Sequence, residues 1–240
     1  MTALPRAEAS PELLDEPLHE LHILAESLGH IAAVNRWLGG THCLLKHITP
    51  LLNPDQPTTI LDVGTGSADL SRSVIRHARR HSRVVEVTAC DVHPQILAIA
   101  RVESAGFPEL SICPANALAL PFEADSFDVG TLSLTLHHFD GDEQVQVLRE
   151  LARVARRCVI VNELRRTRLN YLGARLLATT VWRGNRLTRH DGPLSVLRAF
   201  TPAELRLLAT AAGMRGVVFK HYFQRVVLVA TPSERGPVEG

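Results

Sequence analysis

Lysine is almost absent from this chain of 240 residues: only Lys46 and Lys220 occur, and arginine supplies nearly all the positive charge. The net charge is +1 at pH 7, which denies the chain the broad basic surface that a nucleic-acid backbone demands, so no nucleic-acid partner is expected. Seven arginines fall between Arg149 and Arg168, where they read as a solvated helix face. No apolar run reaches the roughly 18–20 residues of a membrane span, which argues against stable membrane insertion. The opening stretch MTALPRAEASPELLDEPLHE is acidic and broken by proline, with neither the basic start nor the apolar middle of a signal peptide, and a cytoplasmic protein is expected. Cysteine is scarce too. Cys43, Cys90, Cys113 and Cys158 lie far apart without CxxC spacing, so a disulfide framework is not expected and no metal is assigned.

What is present is an alternation of short apolar strands with amphipathic helices. Residues 1–17 read as a flexible tail, residues 18–57 as a helical cap interrupted at Gly39-Gly40, and TTILDVG as a first buried strand. A helix, the strand RVVEVTACD, a helix opened by Pro94, the weak strand LSICPAN, the strand FDVGTLSLTLHHF, a helix over 141–156 and the strand CVIVNEL follow. This order specifies a mostly parallel sheet with right-handed crossovers and a ligand at its carboxyl edge. Thr201-Pro202-Ala203-Glu204 signals a capped helix start. GVVFKHYF and RVVLVAT are too close for a parallel crossover and predict an antiparallel hairpin. One domain over 18–231 is expected, with an insertion at 164–200 and a tail at 232–240.

The loop after the first strand, ILDVGTGSADL, raises the question of its ligand. A dinucleotide fingerprint fails at its third glycine, where Asp69 stands, and no GK[ST] follows to make a triphosphate loop. What remains is Asp62 two residues before Gly64, then Gly66 and the small Ala68. Such a loop lets backbone approach a ligand closely while a carboxylate accepts from a cationic amine.

Asp62-Val63-Gly64-Thr65-Gly66-Ser67-Ala68, Asp91 at the end of the second strand and NALALPFEADSFD (Asn116 to Asp128) resemble the class I S-adenosylmethionine-dependent methyltransferases. Within them the likeness is to the small-molecule group that includes ubiquinone and menaquinone methyltransferases, and it runs from about Thr58 to Thr231. The resemblance implies a Rossmann-like α/β fold: a seven-stranded, mostly parallel sheet with a C-terminal antiparallel hairpin and helices on both faces. It implies S-adenosylmethionine as cofactor, with Asp62, Gly64 and Gly66 in the loop and Asp91 on the ribose hydroxyls. Asn116 stands where the family usually has an aspartate on the adenine amino group, and an amide oxygen still accepts that bond. Val92, Ala117 and Ser133 complete the expected cofactor set. Ala68 departs from the family's last glycine.

The acceptor is expected to be a small, partly apolar molecule. SLTLHHF replaces the [DNS]-P-P-[YFW] signature of family members that methylate base or amide nitrogen. His137 and His138 follow the fourth strand and are candidates for a general base, as is His190 in RHDGP. Arg165, Trp182 and Arg189, in an insertion rich in arginine and apolar residues, are candidates for binding a phenolic or pyrone acceptor, since the insertion resembles methyltransferases of bacterial aromatic polyketide pathways. Trp37 in VNRWLGGTHCLL is expected to close over the cofactor or to pack on the sheet. The competing readings are a cofactor-binding regulatory module and a nicotinamide oxidoreductase. Oligomeric state is not read from the sequence.

Overall fold

Seven strands form one sheet: β1 (Thr58–Val63), β2 (Val85–Asp91), β3 (Leu110–Pro114), β4 (Phe127–Ser133), β5 (Ala155–Leu164), β6 (Arg215–His221) and β7 (Arg225–Thr231), in the order β3-β2-β1-β4-β5-β7-β6. The computed structural model describes residues 4–7 and 10–232. β1 to β5 run parallel, and β7 lies antiparallel to both β5 and β6. The expected hairpin is therefore present, and it docks on the parallel sheet through β7. Strand order reverses between β1 and β4, the place where an open α/β sheet leaves a crevice at its carboxyl ends.

Side-chain alternation divides the core into two layers. Leu61, Val63, Val159, Val161, Val226 and Leu228 face one side, where α5 (Asp142–Val154) and α8 (Pro202–Ala211) bury Leu148, Leu151 and Leu205. Ile60, Cys158, Ile160 and Val227 face the other, against α2 (Gly40–Ile48) and α3 (Asp69–Arg80). Central strands apolar on both faces are what a sheet covered by helices on both sides requires. The remaining helices are α1 (Leu21–Trp37), α4 (Pro94–Glu103), α6 (Arg168–Thr179) and α7 (Arg186–Arg198). α6 and α7 account for most of the expected insertion.

Two expectations are corrected. Residues 10–17 do not form a free tail: Leu13 and Leu14 donate their backbone N–H groups to the Asp191 carboxylate at 2.8 and 2.9 Å, and Arg198 donates to the Ser10 carbonyl at 2.7 Å. These bonds strap the segment across α7. The rest of the two expected tails, residues 1–3, 8–9 and 233–240, lies outside the described residues. Trp37 neither packs on the sheet nor closes over a ligand. It is 69% exposed, with the Arg36 guanidinium stacked on its ring.

The capping box at α8 is present as expected: Glu204 N–H donates to Thr201 Oγ1, and Thr201 N–H donates to the Glu204 carboxylate. Thr201→Ala is expected to lower stability by about 1 kcal/mol. Urea denaturation checks this, and an unchanged midpoint would show that the cap contributes nothing.

Candidate active site

The loop after β1 is shaped by two left-handed glycines, Gly64 (φ 65°) and Gly66 (φ 56°). A Cβ on Gly64 would stand 2.3 Å from the Thr135 side chain, so the close approach of the two loops requires glycine there. Ala68 also adopts φ 60°, at the N-cap of α3. This conformation costs an L residue about 1–2 kcal/mol, partly offset because its methyl group is fully buried with Ala89 and Ala100. Asp62 holds the loop from below: its buried carboxylate accepts from the hydroxyls of Thr65, Ser71 and Thr131. Burial pushes its carboxyl up, and the three hydroxyls oppose that. Arg72, itself buried, donates to the Ser67 carbonyl and pins the far side of the loop.

Asp91 ends β2 with one carboxylate oxygen accepting from His93 N–H at 3.0 Å and the other from Gly66 N–H at 3.1 Å. Burial raises its carboxyl, against these backbone donors. Each oxygen keeps a lone pair, so two vicinal hydroxyls can be met at once. Asn116 uses its amide oxygen in a turn, accepting from Leu118 N–H at 2.9 Å, which leaves that oxygen one further acceptor site. Ser133 Oγ is buried without a hydrogen-bond partner among the described residues. Asp62, Gly64, Gly66, Asp91, Val92, Asn116, Ala117 and Ser133 all line one cavity of about 1030 Å³. The donor set fits an adenosyl cofactor: a carboxylate for a diol, an amide for a base, glycine backbone at close range and an orphaned hydroxyl.

The same cavity is walled by a cluster of histidines and carboxylates. A short helical turn, Leu136–His138, follows β4. His137 is 2% exposed; its Nδ1 lies 2.8 Å from Glu163 on β5, and its Nε2 lies 3.5 Å from Glu12. Burial would depress the His137 pKa, but Glu163 and Glu12 outweigh it and push it up to about 10. His138 sets Nδ1 2.9 Å from Asp15 and Nε2 3.9 Å from Glu12. Burial opposes its protonation as well, and Glu12 and Asp15 raise its pKa nonetheless. Glu12 is buried, which by itself would favour its neutral form, yet the two histidines hold it down at about 2. His137 is therefore not poised to take a proton near neutral pH, and His138 is shifted in the same direction.

The remaining sequence candidates separate. Trp182 is buried and lines the cavity, its ring lying against Gly192. His190 does not reach it. RHDGP is helical, in the first half of α7, and successive residues turn about 100°, so Thr188, Asp191 and Ser195 face the cavity while His190 stays exposed and pairs with Asp191 at 2.7 Å. Arg189 lines a different, outer groove of about 470 Å³ with Tyr171, Arg175 and Arg183. Arg165 also misses the cavity: Leu164 faces it, and Arg165 donates instead to Gln224 at 2.7 Å. Residues that sequence reading missed are Glu12 and Asp15 on the strap, Asn35 on α1, Asp69, Asp191 and Phe223. Glu163 is legible in the sequence as a residue at the carboxyl edge of the fifth strand, and it reaches His137 there. Glu12 had no such signal.

The fold is the one that S-adenosylmethionine-dependent methyltransferases adopt. Residues 60–157 match the family described as a methyltransferase domain. Over 100 residues the chain is 37% identical to the demethylmenaquinone methyltransferase of Thermus thermophilus, covering 41% of this chain and 42% of that one. Over 116 residues it is 34% identical to the 2-phytyl-1,4-naphtoquinone methyltransferase of Thermosynechococcus vestitus, covering 48% and 49%. The matched segment spans under half the length of these curated relatives. Among solved structures, a SAM-dependent methyltransferase from Aquifex aeolicus superposes with a TM-score of 0.62 at 17% identity, over 86% of this chain and 97% of that one. The CMeT domain of the citrinin polyketide synthase superposes with a TM-score of 0.62 at 14% identity, over 83% and 53%. Residues 60–157 thus match a methyltransferase domain, and over a segment of similar length the chain resembles the quinone methyltransferases.

Proposed function

We propose that this protein transfers a methyl group from S-adenosylmethionine to an oxygen or carbon of a small, partly apolar acceptor, a lipophilic phenol, quinol or hydroxypyrone. The observation that carries the reading is the single cavity of about 1030 Å³, which joins the glycine loop and Asp91 to an apolar wall formed by Leu169, Leu176, Leu177, Trp182 and Phe223. That volume stands at the upper end of the range of about 300–1,000 Å³ for small-molecule sites and leaves room for an acceptor beside a cofactor. The acceptors named for the quinone methyltransferase relatives are of the same character, a ring with polar oxygens on an apolar body.

S-adenosylmethionine supplies, when bound, an electrophilic methyl group on sulfur. Asp91, Asn116 and the glycine-loop backbone bind and orient it, and Ser133 offers its unpartnered hydroxyl. Methyl transfer is chiefly a matter of alignment, and residues of α1, α6 and α7 line the cavity in which acceptor and cofactor would be aligned. His138 lines the cavity with Nε2 3.9 Å from Glu12, beyond hydrogen-bond range, so its ring is placed to meet an acceptor oxygen. His137, locked between Glu163 and Glu12, positions its neighbour and the strap.

With labelled cofactor and a panel of lipophilic phenols, quinols and hydroxypyrones, saturable methylation is expected. His138→Ala should lower kcat by about tenfold, the worth of one hydrogen bond to a charged group, with the affinity for S-adenosylhomocysteine unchanged. Robust methylation of RNA or of a protein, with the whole panel inert, would overturn the acceptor assignment. Cofactor binding without turnover on any acceptor would favour the regulatory reading.

A further inference from the structure

Glu12, His137 and His138 bring one carboxylate and two imidazoles to a wall of the cavity, with a donor atom from each lying within 4.8 Å of the others. The rings are not free to turn. His137 Nδ1 is held by Glu163 at 2.8 Å and His138 Nδ1 by Asp15 at 2.9 Å, so in each neutral ring the proton sits on Nδ1 and the lone pair on Nε2. Both Nε2 atoms face the same carboxylate, at 3.5 Å from Oε1 and 3.9 Å from Oε2. A carboxylate behind each imidazole, fixing its tautomer and raising its basicity, is the arrangement that metal-binding histidines use.

Distances and charge agree with that use. Metal–ligand bonds of about 2.0–2.2 Å place the ligands of one ion about 3.0–3.5 Å apart, so the observed separations need to close by a fraction of an ångström up to about 1.5 Å. Three carboxylates, Glu12, Glu163 and Asp15, surround two imidazoles here. The nearby Arg198 spends its guanidinium on the His137 carbonyl, the Ser10 carbonyl and Asp140.

We propose that Glu12, His137 and His138 form a binding site for a divalent transition-metal ion of the zinc or manganese type, open on the cavity side. Mixed imidazole and carboxylate donors suit such ions, and three protein ligands leave a coordination position free. The ion also ties the strap, through Glu12, to the end of β4, and so closes the cavity on the side of the chain's N-terminal segment. Use of the open position by an acceptor oxygen rests on the methyl-transfer reading; the ion site itself does not.

The test uses the full chain stripped with a chelator and titrated with Zn²⁺ by calorimetry. One ion per chain with micromolar or tighter affinity is expected. Glu12→Gln and His138→Ala should each weaken binding at least about 30-fold, and Asp15→Asn about tenfold, as for partners behind a ligand. His47→Ala should change nothing; His47 and His221 form a separate pair with Nε2 atoms 2.8 Å apart, and this variant detects adventitious binding there. The Co²⁺-loaded wild-type protein should show two strongly shifted, exchangeable imidazole N–H proton signals, one from each Nδ1, which requires no variant to fold. Absence of these signals, affinity unaffected by Glu12→Gln and His138→Ala, or loss of binding in His47→Ala would overturn the site. Metal binding as expected without methylation of any acceptor would support this site while defeating the methyl-transfer reading; methylation by protein that binds no Zn²⁺ would do the reverse.

Discussion

Glu163→Ala is expected to lower stability by about 3–5 kcal/mol, the cost of breaking a buried ion pair from one side. The Glu163 side chain is fully buried and accepts from the backbone N–H groups of Thr135 at 3.0 Å and Leu136 at 2.9 Å, besides holding His137 at 2.8 Å. Alanine leaves two buried donors and an imidazolium without their acceptor. For a domain with a total stability of about 5–15 kcal/mol this is a large fraction. Glu163→Gln keeps the shape and one amide oxygen, so its loss should be smaller, about 1.5–3 kcal/mol. Urea unfolding of the three proteins measures this order. A loss below 1 kcal/mol in Glu163→Ala would mean that water or a shifted side chain satisfies these groups, and that His137 is not locked as described.

The second large effect falls on the cofactor. Asp91→Ala should weaken binding of S-adenosylhomocysteine by about 10- to 150-fold, equivalent to the 1.5–3 kcal/mol of hydrogen bonds to a charged group. Two consequences add up in this variant: the diol loses its acceptor, and Gly66 and His93 lose the carboxylate that holds their N–H groups. Asp91→Asn retains an oxygen and should lose less. Calorimetry with the demethylated cofactor measures both. Binding of NADH by the wild-type protein, with S-adenosylhomocysteine ignored, would instead return the chain to the oxidoreductase reading that Asp69 argued against.

What could be read in the chain before folding was local in character. The β1 loop and the capping box of α8 each depend on residues a few positions apart and have the geometry their spacing implied, while Asp91 and Asn116, candidates through the family resemblance, line the cavity beside that loop. Alternation of apolar residues likewise implied a sheet covered on both faces and a terminal hairpin. The histidines after β4 were legible as candidates because a strand's carboxyl end in this fold meets the crevice, and both line the cavity there. Their chemistry was not legible, since protonation depends on charged neighbours, and these are supplied by Glu12, Asp15 and Glu163.

RHDGP shows the same limit on a shorter scale. Gly192-Pro193 disguised a helix, and without the helical phase the side that His190 faces was open to either reading. By itself the sequence determined the fold class, the cofactor loop and the residues that end the parallel strands, because periodicity and short-range backbone geometry are encoded within a few positions. Only the tertiary structure decided that an acidic N-terminal segment crosses α7 to put Glu12 on His137, that Arg165 and Arg189 turn away from the cavity, and that Trp37 stays in solvent. Those outcomes depend on packing between elements distant in the chain, as for Glu12 with His137 and Arg165 with Gln224, and on which of two faces each helix or strand end presents.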